Sequence, residues 1–393
     1  MSRRGRLNLA LLAVALLALP CSVRAEEGLP PDASPTSVSA TTPRAPLGSH
    51  GETGTAVYSN NDGLRVISPW IQARQQVSGP VSVQVESRTD IITAASVDMI
   101  SGASPSFQDI REEVGFLSTY DQAGLAGHAG YTYSTEHDTH THTMTVGGSK
   151  ELLSRNLTLA LAYGLGLDRL GSVREPEAMW HDRTSHRLDA TVTQVLSPTA
   201  IVSAAYTMQQ IEGFQSSPYR LVPLVPHDST QWLKSQAQWV AERHPTSRGR
   251  HGFTLEGRKA VGRWLTLRAL YRGYLDTWAV RSNTGEVGAT FDLGHGWEIG
   301  LFERLYWQSN ASFYRSMYSV DRAYITRDRR LAAQWSESVT LDIRARFGIV
   351  GLLLQGVGLW TRYEDFRTVD ADRFVPMAAT WAGIVQTALS LDF

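Results

Sequence analysis

The chain has 393 residues, a formal net charge of −1, and is 42% hydrophobic and 19% charged. That composition excludes a bundle of transmembrane helices, which needs runs of about 20 apolar residues, and 11 Trp, 14 Tyr and 11 Phe are too many rings for a disordered chain. The near-neutral balance offers no basic field for nucleic acid, and the single Cys excludes a disulfide framework and a thiolate metal cage.

Arg3, Arg4 and Arg6 precede an apolar run, Leu7 to Leu19, that Pro20 ends, and Val23-Arg24-Ala25 supplies the residues before a cut. This reads as a secretory signal peptide over 1–25, the run being too short to span a bilayer. Cys21 raises a lipoprotein signal, but Pro20 stands where that signal places a small residue. Residues 26–61 are Pro-, Ser- and Thr-rich without a sustained hydrophobic period, which predicts a flexible linker.

Beyond residue 62 the pattern alternates. Val81, Val83 and Val85 alternate with Ser82, Gln84, Glu86, Arg88 and Asp90; Leu157, Leu159, Leu161, Tyr163, Leu165 and Leu167 alternate with small residues. The same period runs through 265–275, where Arg268 and Arg272 share the polar face, and through 339–349, where Asp342, Arg344 and Arg346 do. Successive strand side chains face opposite sides. Runs of about 10–14 residues exceed the usual strand and match a tilted crossing of a bilayer. One face is greasy and the other charged, which fits lipid outside and a watery lumen within, and a sheet in lipid must close. The fold expected is all-β: a transmembrane antiparallel up-and-down barrel over 62–393.

Short turns near 121–124, 150–155, 196–199, 259–263, 293–296 and 347–350 alternate with seven longer connections: 98–106, 136–139, 169–182, 211–249, 277–283, 308–330 and 364–376. Seven outer connections give about fourteen strands, with sixteen as the alternative. Residues 62–75 are left as a plug, a periplasmic extension or one strand of the extra pair, and 231–241 as a strand that would spoil the parity. Glu303 falls on the greasy face with Trp297, Ile299 and Leu301, which requires either a place above the bilayer or a bulge. Leu389, Leu391 and the terminal Phe393 share one face, like the signal that outer-membrane barrels show to their assembly machinery.

Three stretches resemble an uncharacterised bacterial family of outer-membrane barrels, described only as a domain of unknown function. They are Val97-Asp98-Met99-Ile100-Ser101-Gly102-Ala103-Ser104-Pro105, then Tyr271-Arg272-Gly273-Tyr274-Leu275-Asp276-Thr277-Trp278 with Arg281-Ser282-Asn283-Thr284, and Tyr306-Trp307-Gln308-Ser309-Asn310-Ala311-Ser312-Phe313-Tyr314. Pro218-Tyr219-Arg220 is also similar. The likeness spans about 62–393; Gly273 stands where an aromatic is usual and Asn283 where a His is usual. It implies a barrel and a location, and transfers no catalytic residue.

Two constellations carry candidate chemistry. His137, His140 and His142 form a cluster with metal-ligand character that zinc or copper would suit, against a plain polar hairpin tip. Arg268, Arg272, Arg304, Arg344 and Arg346, with Glu86, Asp90 and Asp342, are placed in the lumen, as either a charged filter or a salt-bridged filling. No nucleophile elbow, P-loop or zinc-protease motif occurs, and Asn156-Leu157-Thr158 lies inside a strand, where a glycosylation motif has no meaning. The expected protein is a non-enzymatic outer-membrane barrel, channel-like or part of an export path, without a cofactor unless the His cluster holds a metal. A non-conducting scaffold that binds a partner by its loops is the alternative, and a membrane enzyme the third. Expected partners are outer-membrane lipid, the assembly machinery and an unidentified periplasmic or secretion component, and not nucleic acid.

Overall fold

Period-two alternation builds the wall. The computed structural model describes residues 48–94, 107–226, 233–377 and 379–393; the expected signal peptide, most of the linker and the Val97–Pro105 motif lie outside them. The strands in chain order are β1 (His50–Asn60), β2 (Leu64–Ser78), β3 (Val81–Ala94), β4 (Phe107–Gln122), β5 (Leu125–Thr135), β6 (Thr139–Leu152), β7 (Leu157–Leu170), β8 (His181–Ser197), β9 (Ala200–Gly213), β10 (Leu221–Leu224), β11 (Gln238–Ala241), β12 (Ser247–Val261), β13 (Leu265–Asp276), β14 (Arg281–Gly294), β15 (Trp297–Gln308), β16 (Gln334–Phe347), β17 (Val350–Tyr363), β18 (Arg367–Asp370), β19 (Arg373–Pro376) and β20 (Thr380–Asp392). All but two pairs form one closed antiparallel barrel; β10 with β11, and β18 with β19, are separate two-stranded ribbons inside connections.

The barrel therefore has sixteen strands, not fourteen. One expectation changes with that count: residues 50–60 form a strand rather than linker. Of the alternatives for 62–75, the segment takes that of a strand of the extra pair, since Leu64–Ser78 is wall. His50-Gly51-Glu52-Thr53-Gly54-Thr55-Ala56 carries too few large apolar residues to show a period, yet β1 pairs along its length with both β2 and β20. The segment 231–241 leaves the parity intact because its only described strand, β11, pairs with β10. The seam closes at the chain end, where Ser49 and Phe393 exchange backbone hydrogen bonds of 2.8 and 2.9 Å.

One end of the barrel carries tight turns and the other the long connections. The three register shifts, at Gln76/Ser78, Val195/Ser197 and Asp292/Gly294, all lie at the turn end. At Gly296 the backbone takes φ +83°, and a Cβ there would stand 2.2 Å from the Arg346 carbonyl oxygen, so the 294–296 turn requires glycine. We label the long-end connections L1 (61–63), L2 (95–106), L3 (136–138), L4 (171–180), L5 (214–246), L6 (277–280), L7 (309–333) and L8 (364–379). Seven match the connections read from sequence; L1, only three residues long, was not read.

The outer face is apolar. Leu159, Leu161, Tyr163 and Leu167 on β7, Leu301, Leu305 and Trp307 on β15, and Leu352 and Leu354 on β17 are all exposed. Leu161 is 55% exposed while its neighbour Ala160, facing inward, is 7% exposed. Rings mark both ends of this band: Trp264 against Phe291 and Trp297 against Phe347 at the turn end, Trp335 against Trp360 at the other. Such girdles belong to membrane barrels.

Candidate functional site

Inward positions oppose the exposed apolar ones, and Glu86, Asp90, Arg268, Arg272, Arg304, Asp342, Arg344 and Arg346 all occupy them. Several of the wall cations meet acids on the same strand, on the next strand or, for Arg346, on the strand beyond it. Arg268 bonds Glu286 and, at 3.1 Å, Glu256, which also takes Arg258 at 2.5 Å. Arg344 lies 3.3 Å from Asp342, to which Gln355 donates at 2.7 Å, and Arg346 lies 2.8 Å from Asp392. Arg187 forks onto Asp189 at 2.7 and 2.9 Å, a pair missed from sequence although an i,i+2 Arg–Asp on one strand face signals it. Phe302 fits between two inward glycines, Gly288 and Gly300, whose absent side chains make room for its ring, and Arg268 lies 5.9 Å from the ring centroid.

At the turn-end mouth, within three residues of the ends of β12 and β16, the lumen is open to water. Three inward guanidiniums stay more than half exposed: Arg344 at 56%, Arg258 at 59% and Arg346 at 67%. A sixteen-stranded wall is wide enough to leave such water-filled space.

The long end is different. L5, L6, L7, L8 and L1 fuse into one packed cap. Trp278 and Val280 of L6 bury against Ala311, Tyr314, Leu331 and Ala332 of L7, and Val222 of β10 against Tyr318 and Ile325. L5 reaches L8: Ser235 donates to Asp372 from both its backbone N and its hydroxyl, at 2.8 and 2.6 Å. L7 reaches L1 through Arg329 and Asp62.

Two of the sequence stretches singled out above build this cap. In the first, Asp276 takes Arg248 at 2.5 and 2.8 Å, the Tyr274 hydroxyl at 2.9 Å and the backbone N–H groups of Trp278 and Val280 at 2.9 Å; Arg248 also stacks 4.1 Å from the Trp278 ring. In the second, the fully buried Gln308 donates to the Arg330 and Ala332 carbonyls, and the Tyr314 hydroxyl to the Asp365 carbonyl. Pro218-Tyr219-Arg220 pins L5 from two sides. The Tyr219 hydroxyl accepts from the Val173 N–H of L4 at 3.0 Å, and burial, with Asp138 of L3 beside it, pushes its ionisation up. Arg220 bonds Glu242 and Asp328, each at 3.1 Å. Burial works to raise both carboxyls, but Arg220, with His244 at Glu242 and Arg330 at Asp328, outweighs it and holds both below the usual carboxylate range, Glu242 at about 2.

The histidine cluster does not assemble. His137 Nδ1 lies 2.6 Å from Asp109 on the inner side. His140 and His142 do share a face, but it is the outer one, against Tyr133 and Tyr131. Alternation from Met144 and Val146, both exposed, dictates this. Among the described residues the one group of three with ligand atoms within 4.8 Å is Asp109, Glu136 and Asp138, an oxygen set unlike the imidazole set expected. Glu303 stays outward and exposed, opposite Val287 and Val339, with no bulge inside β15.

Residues 33–368 match the family described as "Protein of unknown function (DUF3570)". No curated protein matches the chain. Among solved structures, a "Bacterial polysaccharide outer membrane secretin" superimposes with TM-score 0.51 at 9% identity, covering 88% of this chain and 98% of that one. "CdiB from Acinetobacter baumannii" does so with TM-score 0.51 at 8% identity, covering 88% and 60%. At such identities the likeness is one of fold: a closed outer-membrane type of barrel.

Proposed function

The chain belongs to the DUF3570 family, and we propose that it resides in the bacterial outer membrane as a barrel giving a small polar solute a path through its lumen. Export to that membrane follows the N-terminal leader, and Phe393 serves as the assembly mark. The observation that carries the pore reading is the inward exposure of Arg258, Arg344 and Arg346 at the turn-end mouth: charged groups that face inward there and remain wet need a water-filled entrance around them. Their acidic partners keep the wall near neutral, so charge selectivity is modest. We see the protein as a conduit rather than an enzyme, its chemistry confined to a lining of Arg–carboxylate pairs.

The cap favours a second reading. Side chains such as Gln308, Tyr314, Ile325 and Thr326 are fully buried at the loop end, as suits either a gate over a conduit or a fixed platform for a partner on a non-conducting scaffold. Reconstitution of the heat-modifiable barrel in planar bilayers separates them. Steady or gated steps of current support the conduit; a folded barrel that passes none, and gains none when L7 is shortened, supports the platform.

A further inference from the structure

One pairing recurs on the outer face. In β5–β6 the Tyr131 hydroxyl lies 2.8 Å from His142 Nδ1; in β7–β8 Tyr163 lies 2.7 Å from His186 Nδ1; in β9–β12 Tyr206 lies 2.7 Å from His251 Nδ1. In β13–β14 Tyr271 donates to Asn283 Oδ1 at 2.6 Å. The register is the same each time. Tyr131 stands opposite Met144, Tyr163 opposite Leu188, Tyr206 opposite Phe253 and Tyr271 opposite Gly285, and the partner is the residue two earlier on the second strand.

The height is also the same. Each tyrosine is the sixth residue after the first of its strand, and each partner lies ten or eleven before the end of its own. At about 3.3 Å per residue and a tilt of about 40° this sets the imidazoles about 25 Å above the turn end. That is the upper edge of the apolar band, where head groups begin. With the hydroxyl assigned as donor to Nδ1, the ring proton lies on Nε2, which gives each imidazole an N–H donor away from its tyrosine.

We propose that His142, His186 and His251 form a collar that holds phosphate-bearing lipid head groups of the outer leaflet against β5–β12, with the tyrosines as positioning residues. The collar is one-sided. In β15–β16 the equivalent positions hold Glu303 and Glu337, two outward carboxylates, and like charge turns phosphate away there. The inference rests on the membrane-barrel reading above.

The test uses the full barrel in uncharged maltoside micelles, its folding checked first by heat-modifiable gel migration. Micelles are doped with phosphatidic acid or with diacylglycerol of the same chains, and retained lipid is counted by native mass spectrometry. Wild type should retain phosphatidic acid in preference to diacylglycerol. The triple variant His142→Phe, His186→Phe, His251→Phe should lose the preference, and Asn283→His should add to it. Equal retention of the two lipids by folded wild type, or an undiminished preference in the folded triple variant, overturns the collar and leaves the barrel standing. A chain that never shows the folded migration overturns the barrel reading and the collar with it.

Discussion

Arg220 Nη1 lies 3.1 Å from Asp328 Oδ2, joining residues 108 apart in the chain, and equally close to Glu242. This guanidinium is the charge on which L5 and L7 close. Removing one partner of a buried pair leaves the others desolvated and unmatched, which costs about 3–5 kcal/mol. Arg220→Met should therefore release the cap while the wall persists. Limited proteolysis should cut within 214–246 and 309–333 with strand circular dichroism unchanged. A wild-type cleavage pattern would show that the cap does not hang on this residue.

The same cluster sets a pH response. Glu242 and Asp328 are held below the ordinary carboxylate range by Arg220 and its neighbours. The open cap then binds more protons than the closed one. The stabilisation is complete above the ordinary carboxylate pKa and drains away as pH falls from about 5 toward about 2. Tryptophan emission, with Trp278 buried in the cap, should shift red over that window before the barrel itself unfolds. Emission flat down to pH 2 would contradict this.

The wall makes a plainer prediction. Leu161 faces out and Ala160 faces in. Arg at 161 should cost about 2–4 kcal/mol near the midplane, whereas Arg at 160 meets the polar lumen and costs less in charge terms. Folding yields into lipid of Leu161→Arg and Ala160→Arg should differ accordingly. Equal yields would reverse the faces.

These faces were legible because alternation is local: Leu157 through Leu167 state their side of the wall without reference to anything distant. β1 was illegible for the converse reason. Its Gly51, Thr53 and Thr55 take their place from β20 and β2, a pairing between chain ends that no window reveals. The site divides the same way. Inward Arg268 and Arg344 follow from period two, but their acids lie on the neighbouring strand or two residues along, so pairing needed the register. The histidines show the limit of composition: three imidazoles within six residues suggested one ligand set, while the strand turned His140 and His142 outward and His137 met Asp109. The cap was invisible, since Arg220, Asp328 and Asp62 are brought together only by closure of the wall.

Lumen charge gives the last prediction and separates conduit from platform. Arg344 and Arg346 are wet, and each leans on one carboxylate, Asp342 or Asp392. Arg268 instead is half-buried between Glu256 and Glu286. In an open lumen the fixed charges set the local ion balance. Replacing Arg344 and Arg346 together by Gln removes two accessible cations, while Asp392 stays open to water and the buried Asp342 keeps the Gln355 amide donor at 2.7 Å. The reversal potential in a salt gradient should then move toward cation selectivity with little loss of stability. Arg268→Gln should move it in the same direction and also lower the melting temperature, because two partly desolvated acids lose the cation between them. If the cap is a gate, shortening L7 should raise the open probability without altering this selectivity, since the wall residues are untouched. A folded barrel that carries no current, and gains none when L7 is shortened, would decide for the platform, and the Arg–carboxylate pairs would then be read as struts of a closed wall.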